Sequence, residues 1–319
     1  MKPSTLPLVL LATTLTAQAA SVDVQADYSF SGGAYTAIDT GGLPLHVGAL
    51  VKAARMQGDI INTADPFLAI TGDYSPIGQA QANGNAAGNL GVLASFQGPG
   101  GGPVDNLHAQ TKWSETVVNH SGGDQAYDFS FHITPGGILA GTDAAGTWSG
   151  GGLAANYNIQ IQLDNNVIWN SAAALRVGKD GGGWQHDLTL SGFELDRTYS
   201  DYLLYGEGLD FGGSQGYGGG AGFTFGGYDG LLRVGTFADN ASFTISYLME
   251  VSVAGHVVET GAYAAFGDPL NLSGGVNAQV IAVPEPATSL VVGLGLAGLG
   301  LTSVAAKHRR RVKSNLLLV

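Results

Sequence analysis

Cysteine is absent from the 319 residues of the chain. Disulfide bonds, thiolate metal sites and cysteine nucleophiles are therefore excluded. Charged residues are also scarce, at 12%, whereas glycine occurs 51 times. This composition does not favour a helical bundle, because glycine weakens helices and the solvent face of a bundle is normally charged. A stable fold must therefore come from a packed core without covalent cross-links.

Basic residues are rare between the two ends of the chain. The totals are 13 lysines and arginines and 25 aspartates and glutamates. Setting aside Lys2, Glu285 and the five basic residues after Ala306 leaves 7 basic and 24 acidic residues within 21–282, a net charge near −17. Such a charge argues against nucleic acid and anionic lipid as partners. It is compatible with weak binding of divalent cations.

The amino-terminal residues 1–20 have the three parts of a secretory signal peptide. Lys2 provides a positive charge, residues 6–15 are largely apolar, and Ala17-Gln18-Ala19 provides the small residues that signal peptidase accepts. We expect cleavage after Ala19 or Ala20. The alternative, an uncleaved membrane anchor, fits less well because the apolar stretch is shorter than the roughly 20 residues needed to span a bilayer.

The carboxyl-terminal segment, residues 283–313, has an apolar stretch between a proline motif and a basic cluster. Residues 287–306 carry no charge. At about 1.5 Å rise per residue, a helix of this length reaches about 30 Å, which is the thickness of a bilayer core. We therefore predict a transmembrane helix over residues 287–306, with the basic cluster in the cytoplasm. A buried core helix is the alternative, but it does not explain the cluster, which consists of Lys307, Arg309, Arg310 and Arg311.

This segment resembles the PEP-CTERM sorting signal, a family defined by a Val-Pro-Glu-Pro motif, a membrane span rich in glycine and leucine, and a run of arginines. The resemblance implies recognition by exosortase, a membrane-embedded cysteine protease that removes the tail and passes the body towards the outer surface or the exopolysaccharide matrix. It also implies that the motif makes the chain a substrate and gives it no activity of its own. The matching motif residues are Val283, Pro284, Glu285 and Pro286.

The body, residues 21–282, has the alternating pattern of β-strands. In residues 127–134, 154–164 and 243–253, apolar and polar residues alternate, so one face of each strand is predicted to be buried. Asn165-Asn166 is predicted to turn the second of these strands back on itself. We therefore predict an all-β fold, a β-sandwich of the jelly-roll type. Further strands are predicted at residues 111–119, 188–195, 202–205 and 231–237.

Other segments of the body have less regular patterns. Residues 45–56 are the one segment whose pattern favours a helix. Residues 79–102 are rich in Gly, Ala and Asn, and this composition predicts a flexible loop. The strand over residues 243–253 is predicted to pair with residues 257–263 through a turn at Ala254-Gly255-His256. Residues 121–124 are predicted to turn the first of the further strands into the strand that starts at Tyr127.

No pattern in the body predicts catalysis. Ser214 lies in a Gly-x-Ser-x-Gly sequence, but the glycines that follow cannot form the helix that this hydrolase motif requires. The histidines show no i, i+4 pair of the kind that binds zinc on a helix. Acid pairs such as Glu194 with Asp196, or Glu207 with Asp210, have the residue types for glycoside hydrolysis, but any acidic protein contains such pairs. We therefore predict that the protein is not an enzyme and has no cofactor.

Two binding hypotheses remain open. A structural calcium ion could be held by oxygen-rich turns such as Asp164-Asn165-Asn166 or the sequence around Asp229. The tryptophans could stack on sugar rings, although core or interface positions are commoner for this residue type. The tryptophans are Trp113, Trp148, Trp169 and Trp184.

The sequence thus supports two functions. The first is an exported, non-enzymatic protein of the cell surface or matrix, processed by signal peptidase and exosortase after a transient anchoring in the inner membrane, with exopolysaccharide as a potential partner. The second is a carbohydrate-binding module or a weak carbohydrate-active enzyme. That second function requires tryptophans in an open groove beside paired carboxylates.

Overall fold

The structure, a computed structural model, describes residues 20–30, 33–39, 49–56, 59–63, 76–98, 104–143, 152–180, 183–199, 217–255, 260–267 and 276–283. These residues contain eighteen β-strands and no helix, which confirms the all-β prediction. The strands are β1 (Ser21–Phe30), β2 (Gly33–Asp39), β3 (Ala49–Met56), β4 (Asp59–Thr63), β5 (Pro76–Gly84), β6 (Leu90–Gly98), β7 (Val104–Val118), β8 (Gln125–Ile133), β9 (Gly136–Asp143), β10 (Leu153–Leu163), β11 (Asn166–Asp180), β12 (Gly183–Gly192), β13 (Arg197–Tyr199), β14 (Tyr217–Phe225), β15 (Tyr228–Phe237), β16 (Ser242–Gly255), β17 (Thr260–Phe266) and β18 (Ala278–Val283).

The strands pair in three antiparallel sheets. A seven-stranded sheet has the order β12-β11-β10-β16-β7-β1-β2, and an eight-stranded sheet has the order β13-β14-β9-β17-β6-β5-β3-β4. The third sheet has the order β15-β8-β18. The predicted signal peptide before residue 20, the predicted membrane span 287–306 and the predicted strand 202–205 lie outside the described residues.

The seven-stranded sheet forms one layer of a β-sandwich, and both other sheets pack on its inner face. Trp113 of β7 stacks on Phe129 of β8, with ring centroids 5.9 Å apart. Tyr157 of β10 contacts Phe266 of β17, with centroids 4.5 Å apart. One cluster of buried apolar residues joins the three sheets. The core therefore lies between the layers, as the alternating sequences predict.

The alternation within strands follows the predicted faces. In β8, β10 and β16, buried residues alternate with partly exposed ones over most of each strand. A turn joins β10 to β11 one residue before the predicted Asn165-Asn166, and Leu163 pairs with Asn166 across it. Its two loop residues, Asp164 and Asn165, have φ of 47° and 67°. Asp and Asn tolerate this left-handed region, which two-residue hairpin loops require.

Four antiparallel pairings follow a nested pattern with the β10–β11 hairpin at its centre. Strand β6 pairs with β17, β7 with β16, β9 with β14 and β10 with β11. Two further pairings, β9 with β17 and β10 with β16, join these four pairs into two layers. The orders within the layers are β6-β17-β9-β14 and β7-β16-β10-β11.

The prediction of a flexible loop over residues 79–102 is wrong for residues 79–98, and residues 99–102 lie outside the described residues. This region contains β5 and β6, which pair with each other around a short turn at residues 85–89. Ala80, Ala82, Val92 and Ala94 of these strands are buried. Small residues fit here because the layers lie close together: a Cβ added at Gly84 would be 2.6 Å from the Cγ1 of Val22. The alanine and glycine content therefore reflects close packing between sheets and not a loop.

Two other local predictions are also wrong. The helical pattern of residues 45–56 falls largely on strand β3, which pairs with β4 and β5, because sheet pairing overrides a weak helical preference. Strands β16 and β17 do not form a hairpin through Ala254-Gly255-His256. They lie in opposite layers, and β17 pairs with β6 and β9. Residues 121–124 do turn β7 into β8, as predicted, although the two strands lie in different sheets.

Candidate functional sites

The sorting motif begins at the end of an edge strand. Val283, the first motif residue, is also the last residue of β18, where it pairs with Ala126 of β8. The side-chain amide of Gln125 donates a hydrogen bond to the Val283 carbonyl. The chain is therefore held by the body up to the first residue of the motif. The other predicted sorting residues lie outside the described residues: Pro284, Glu285, Pro286, Lys307, Arg309, Arg310 and Arg311.

Strand β18 is also fixed at its start. The Asn277 amide donates to the Ala87 carbonyl at 2.8 Å, and the Asn277 carbonyl accepts from the His132 amide at 2.8 Å. Ala278 is buried against Gly88, where an added Cβ would lie only 2.3 Å from the Cβ of Ala278. Gly88 has φ of 73°, so both space and backbone conformation require glycine there. The last strand is thus anchored at both ends.

The end of the sandwich from which Val283 leaves is organised by one buried amide. Asn119 is fully buried, and its side chain donates to the carbonyls of Gly123 and Phe237 at 2.7 and 2.8 Å. Its side-chain oxygen accepts from the Ser121 amide at 2.9 Å and from the Tyr127 hydroxyl at 3.4 Å. These bonds tie the β7–β8 connection to the β15–β16 connection. The sequence gives no signal for this role, because an isolated Asn in a polar stretch looks like a turn residue.

We call this end the carboxyl-terminal pole and define it as residues 119–124, 164–165 and 238–241. The Asp239 carboxylate accepts a hydrogen bond from the Gly122 amide at 3.0 Å, which joins residues 238–241 to residues 119–124. The Asp164 carboxylate accepts from the Thr244 amide at 2.8 Å, which holds residues 164–165 beside β16. The predicted calcium ligand Asp164 thus has a structural hydrogen bond. Asp124, Asp239 and Asp164 are exposed, and no lysine or arginine occurs in the three segments.

A histidine between two carboxylates lies on the outer face of the seven-stranded sheet. His108 Nδ1 is 3.1 Å from Asp27 Oδ2, and its Nε2 is 2.9 Å from Glu250 Oε1. Ionised carboxylates only accept hydrogen bonds, so this geometry favours an imidazole that donates from both ring nitrogens, which is its cationic form. Burial alone would lower the pKa of His108, but Glu250 and Asp27 together raise it above the ordinary value of 6.5.

A chain of side-chain amides leads to the same carboxylate. Gln162 donates to Gln160 at 3.0 Å, Gln160 donates to Asn158 at 3.3 Å, and Asn158 donates to Glu250 at 3.2 Å. The hydrogen bond from His108 lowers the pKa of Glu250, against the opposing effect of burial. Because both His108 nitrogens are engaged, the cluster has no free base and serves to join β1, β7, β16 and β10. Sequence reasoning missed it, since its charged members are distant in the chain.

The structure describes the side chains of two of the four tryptophans, Trp113 and Trp169, and these two do not line an open groove together. Trp113 is 1% exposed and donates its ring N–H to the Ala86 carbonyl at 3.1 Å, so it is a core residue. Trp169 is partly buried and stacks on Tyr228, with centroids 5.9 Å apart and planes 5° apart. Phe193, 40% exposed, packs on Tyr228 at 4.5 Å. Trp148 and the side chain of Trp184 lie outside the described residues.

Of the two predicted acid pairs, the structure describes only Glu194 with Asp196. Glu194 and Asp196 are exposed on either side of buried Leu195, and Glu194 forms an ion pair with Arg197 at 3.4 Å. Glu207, Asp210 and Ser214 lie outside the described residues. Among the residues that the structure describes, no three His, Asp or Glu side chains are placed to share a metal ion. His132 pairs with the other predicted calcium ligand, Asp229, at 2.7 Å.

In the described part of the chain, no helix has the length and apolar character required to cross a bilayer.

Comparison with known families identifies the tail. Residues 282–311 match the model described as the PEP-CTERM protein-sorting motif, which confirms the predicted resemblance. The matched range includes the four motif residues, the predicted span and the basic cluster. No curated protein matches the chain significantly.

Solved structures give little further information. The chain is similar to the structure of infectious bursal disease virus Gt strain at 10% identity, over 86% of this chain and 67% of that one, with a TM-score of 0.11. For T=1 particles derived from infectious bursal virus the identity is 12%, the coverage 87% and 69%, and the TM-score 0.12. Similarities at this level support no conclusion about fold or function. The sorting motif is the informative match, and the chain is an exported protein that carries a PEP-CTERM signal for exosortase at its carboxyl end.

Proposed function

We propose that the protein is a non-enzymatic component of the cell surface or the exopolysaccharide matrix, delivered there after exosortase removes its tail. The main support for this proposal is the position of the sorting motif. It begins at Val283, the last residue of β18, so a cut after that residue leaves in place every strand that the structure describes. The product of such a cut is a complete sandwich, which is what a protein needs if it is to act outside the cell after processing.

The same proposal includes the earlier steps of export. Cleavage by signal peptidase after Ala19 or Ala20 leaves β1 whole, because this strand begins at Ser21. The apolar stretch 287–306 then spans the inner membrane, with Lys307, Arg309, Arg310 and Arg311 in the cytoplasm. The outer face of the seven-stranded sheet, with its amide chain and the His108 ion pairs, is a polar surface suited to contact with water and polysaccharide.

We also infer that the body is a jelly roll. Eight strands support this class: β6, β7, β9, β10, β11, β14, β16 and β17. Their nested antiparallel pairs, closed by the β9–β17 and β10–β16 pairings, are the arrangement expected when a long two-stranded ribbon rolls into two facing sheets. In this description β8, β15 and β18 are additions that cover one end of the roll and carry the sorting motif.

Mass spectrometry of the exported protein tests the main proposal. In cells with exosortase, we expect a protein that starts at Ala20 or Ser21 and lacks residues after the motif. Without exosortase, residue Val319 should remain. A Pro286→Ala variant should also keep its tail, whereas Asp187→Asn, an exposed change on β12, should be processed normally. An exported wild-type protein that ends at Val319 in the presence of exosortase would overturn the proposal.

One observation favours carbohydrate binding as a second candidate function. Phe193 is 40% exposed and belongs to an aromatic cluster with Trp169 and Tyr228. Exposed aromatic faces can stack on sugar rings. A glycan array with the mature protein, compared with Phe193→Ala, tests this candidate. Binding that the substitution abolishes would support it, and the absence of binding to any glycan would remove it.

A further inference from the structure

If the proposed function holds, the point at which the sorting motif leaves the sandwich determines which surface of the body meets the processing enzyme. The chain is held by the sandwich through Val283, which pairs with Ala126 and accepts a hydrogen bond from Gln125. Gln125 directly follows the first segment of the carboxyl-terminal pole. The motif therefore leaves the body beside this pole, and its starting direction is set by a paired strand.

The connection between the body and the predicted span is very short. Only Pro284, Glu285 and Pro286 stand between Val283 and Ala287, where the uncharged stretch begins. Four peptide steps at no more than about 3.6 Å each give a reach of about 14 Å. A membrane-embedded protease can reach the motif only when the pole lies close to it.

We propose that the carboxyl-terminal pole is the surface of the body that contacts exosortase during sorting. The pole suits such a contact because it is fixed by the buried side chain of Asn119 while its loop residues remain exposed. A rigid surface loses little conformational freedom when it binds. Strand β18 need not separate from β8 in this arrangement, since the enzyme approaches along the strand end.

The charge of the pole selects the kind of partner. Asp124, Asp164 and Asp239 are exposed there, and Glu285 adds a fourth carboxylate just beyond Val283. Anionic lipid head groups repel a negatively charged surface. A protein surface with basic or neutral polar groups complements it. The contact is therefore assigned to the protease and not to the lipid around it.

Site-specific photo-cross-linking in cells with exosortase tests the proposal. A photoreactive residue replaces Asp124 at the pole or, as the matched control, Arg176 on β11. Both positions are exposed, and about ten residues of strand at ~3.3 Å per residue place Arg176 roughly 33 Å from the turn at Asp164. We expect several-fold more protein adduct with exosortase from position 124 than from position 176. Equal adducts from both positions, or adducts with lipid alone, would overturn the proposal.

A longer tether sharpens the test. A flexible Gly/Ser insertion of about 15 residues after Val283 gives an average span of about 21 Å on its own. We expect the tail still to be removed while the adduct at position 124 falls to the level of position 176. An undiminished adduct would contradict the tether argument. If the wild-type chain keeps its tail, the proposed function itself fails; if the tail is removed without a pole adduct, only this inference fails.

Discussion

The two halves of the sandwich core are built from different residues. Beneath the three-stranded sheet, the core is formed by large rings from both layers: Trp113, Tyr127, Phe129, Phe131, Phe243 and Tyr247. The eight-stranded sheet instead contributes many small side chains, namely Ala80, Ala82, Ala94, Ala140, Ala221, Ala262 and Ala264. We call these parts the aromatic half and the alanine half.

The difference shows two ways to fill the space between sheets. In the aromatic half, rings meet rings, as with Phe129 and Phe131 at 5.8 Å. In the alanine half some rings also meet, as with Tyr157 and Phe266 at 4.5 Å, but others lie against glycine: a Cβ added at Gly136 would be 2.5 Å from the Phe266 ring, and one at Gly255 would be 2.6 Å from Phe96. We therefore expect the aromatic half to be sensitive to loss of volume and the alanine half to gain of volume.

The largest effect is expected from Phe129→Ala in the aromatic half. Phe129 is fully buried and contacts Trp113 and Phe131, so its removal leaves a cavity that the rigid neighbours cannot fill. We expect a loss of about 3–5 kcal/mol in the free energy of unfolding. Urea unfolding of the mature protein measures it, with Phe193→Ala, an exposed ring, as the control. Equal losses in both variants would show that this half is loosely packed.

Asn119→Ala tests whether the end of the aromatic half depends on polar bonds as well as on packing. The change leaves the carbonyls of Gly123 and Phe237 without their donor and the Tyr127 hydroxyl without its acceptor. Because buried unpaired polar groups are costly, we expect a loss of about 2–3 kcal/mol. Hydrogen exchange should also accelerate in both pole connections. His120→Ala changes an exposed neighbour, so it should neither lower the free energy of unfolding nor accelerate hydrogen exchange. If hydrogen exchange in Asn119→Ala is as slow as in the wild type, the role assigned to the Asn119 side chain is refuted.

Gly255→Ala tests the alanine half by adding volume. The new methyl group would meet Leu153 and Phe96, each at 2.6 Å, so side chains or strands must shift. We expect destabilisation of about 1–2 kcal/mol. Gly123→Ala is the matched control, because nothing lies within 4 Å of its added Cβ. If thermal unfolding shows no difference between the two variants, the layers are less tightly packed in the alanine half than proposed.

The same division explains how much of the fold could be predicted from the sequence. The strands of the aromatic half alternate large apolar and polar residues, so β8 and β16 were predicted with their buried faces. Strands β5 and β6 bury alanine instead, which differs too little from a loop composition to be recognised from one sequence. Pairing partners such as β16 with β7 depend on packing of the whole chain and could not be predicted locally.

The functional sites divide in a similar way. The sorting motif is read from contiguous residues, so its identity could be predicted, whereas its attachment to an edge strand beside Asn119 required the fold. The cluster of His108, Asp27 and Glu250 is formed by residues from three strands. Each of these residues alone is an ordinary polar position on an outer face, so only the register of β1, β7 and β16 shows that they meet.

The smallest effect is expected on the outer face, where His108→Gln should reduce stability only in a limited pH range. The pKa of His108 is raised, so its stabilisation is present below the unfolded value near 6.5 and is lost as pH rises through the folded value. The pKa of Glu250 is lowered, so its stabilisation is present above the unfolded value near 4.5 and is lost as pH falls through the folded value. The difference in stability between wild type and variant should therefore be largest between pH 4.5 and pH 6.5. It should be no more than about 1 kcal/mol, because the cluster is partly solvated.

Thermal unfolding across the pH range measures this difference, with exposed His120→Gln as the control. A difference that grows above pH 8 would show that the imidazole is not held as a cation and that charge pairing does not stabilise this face.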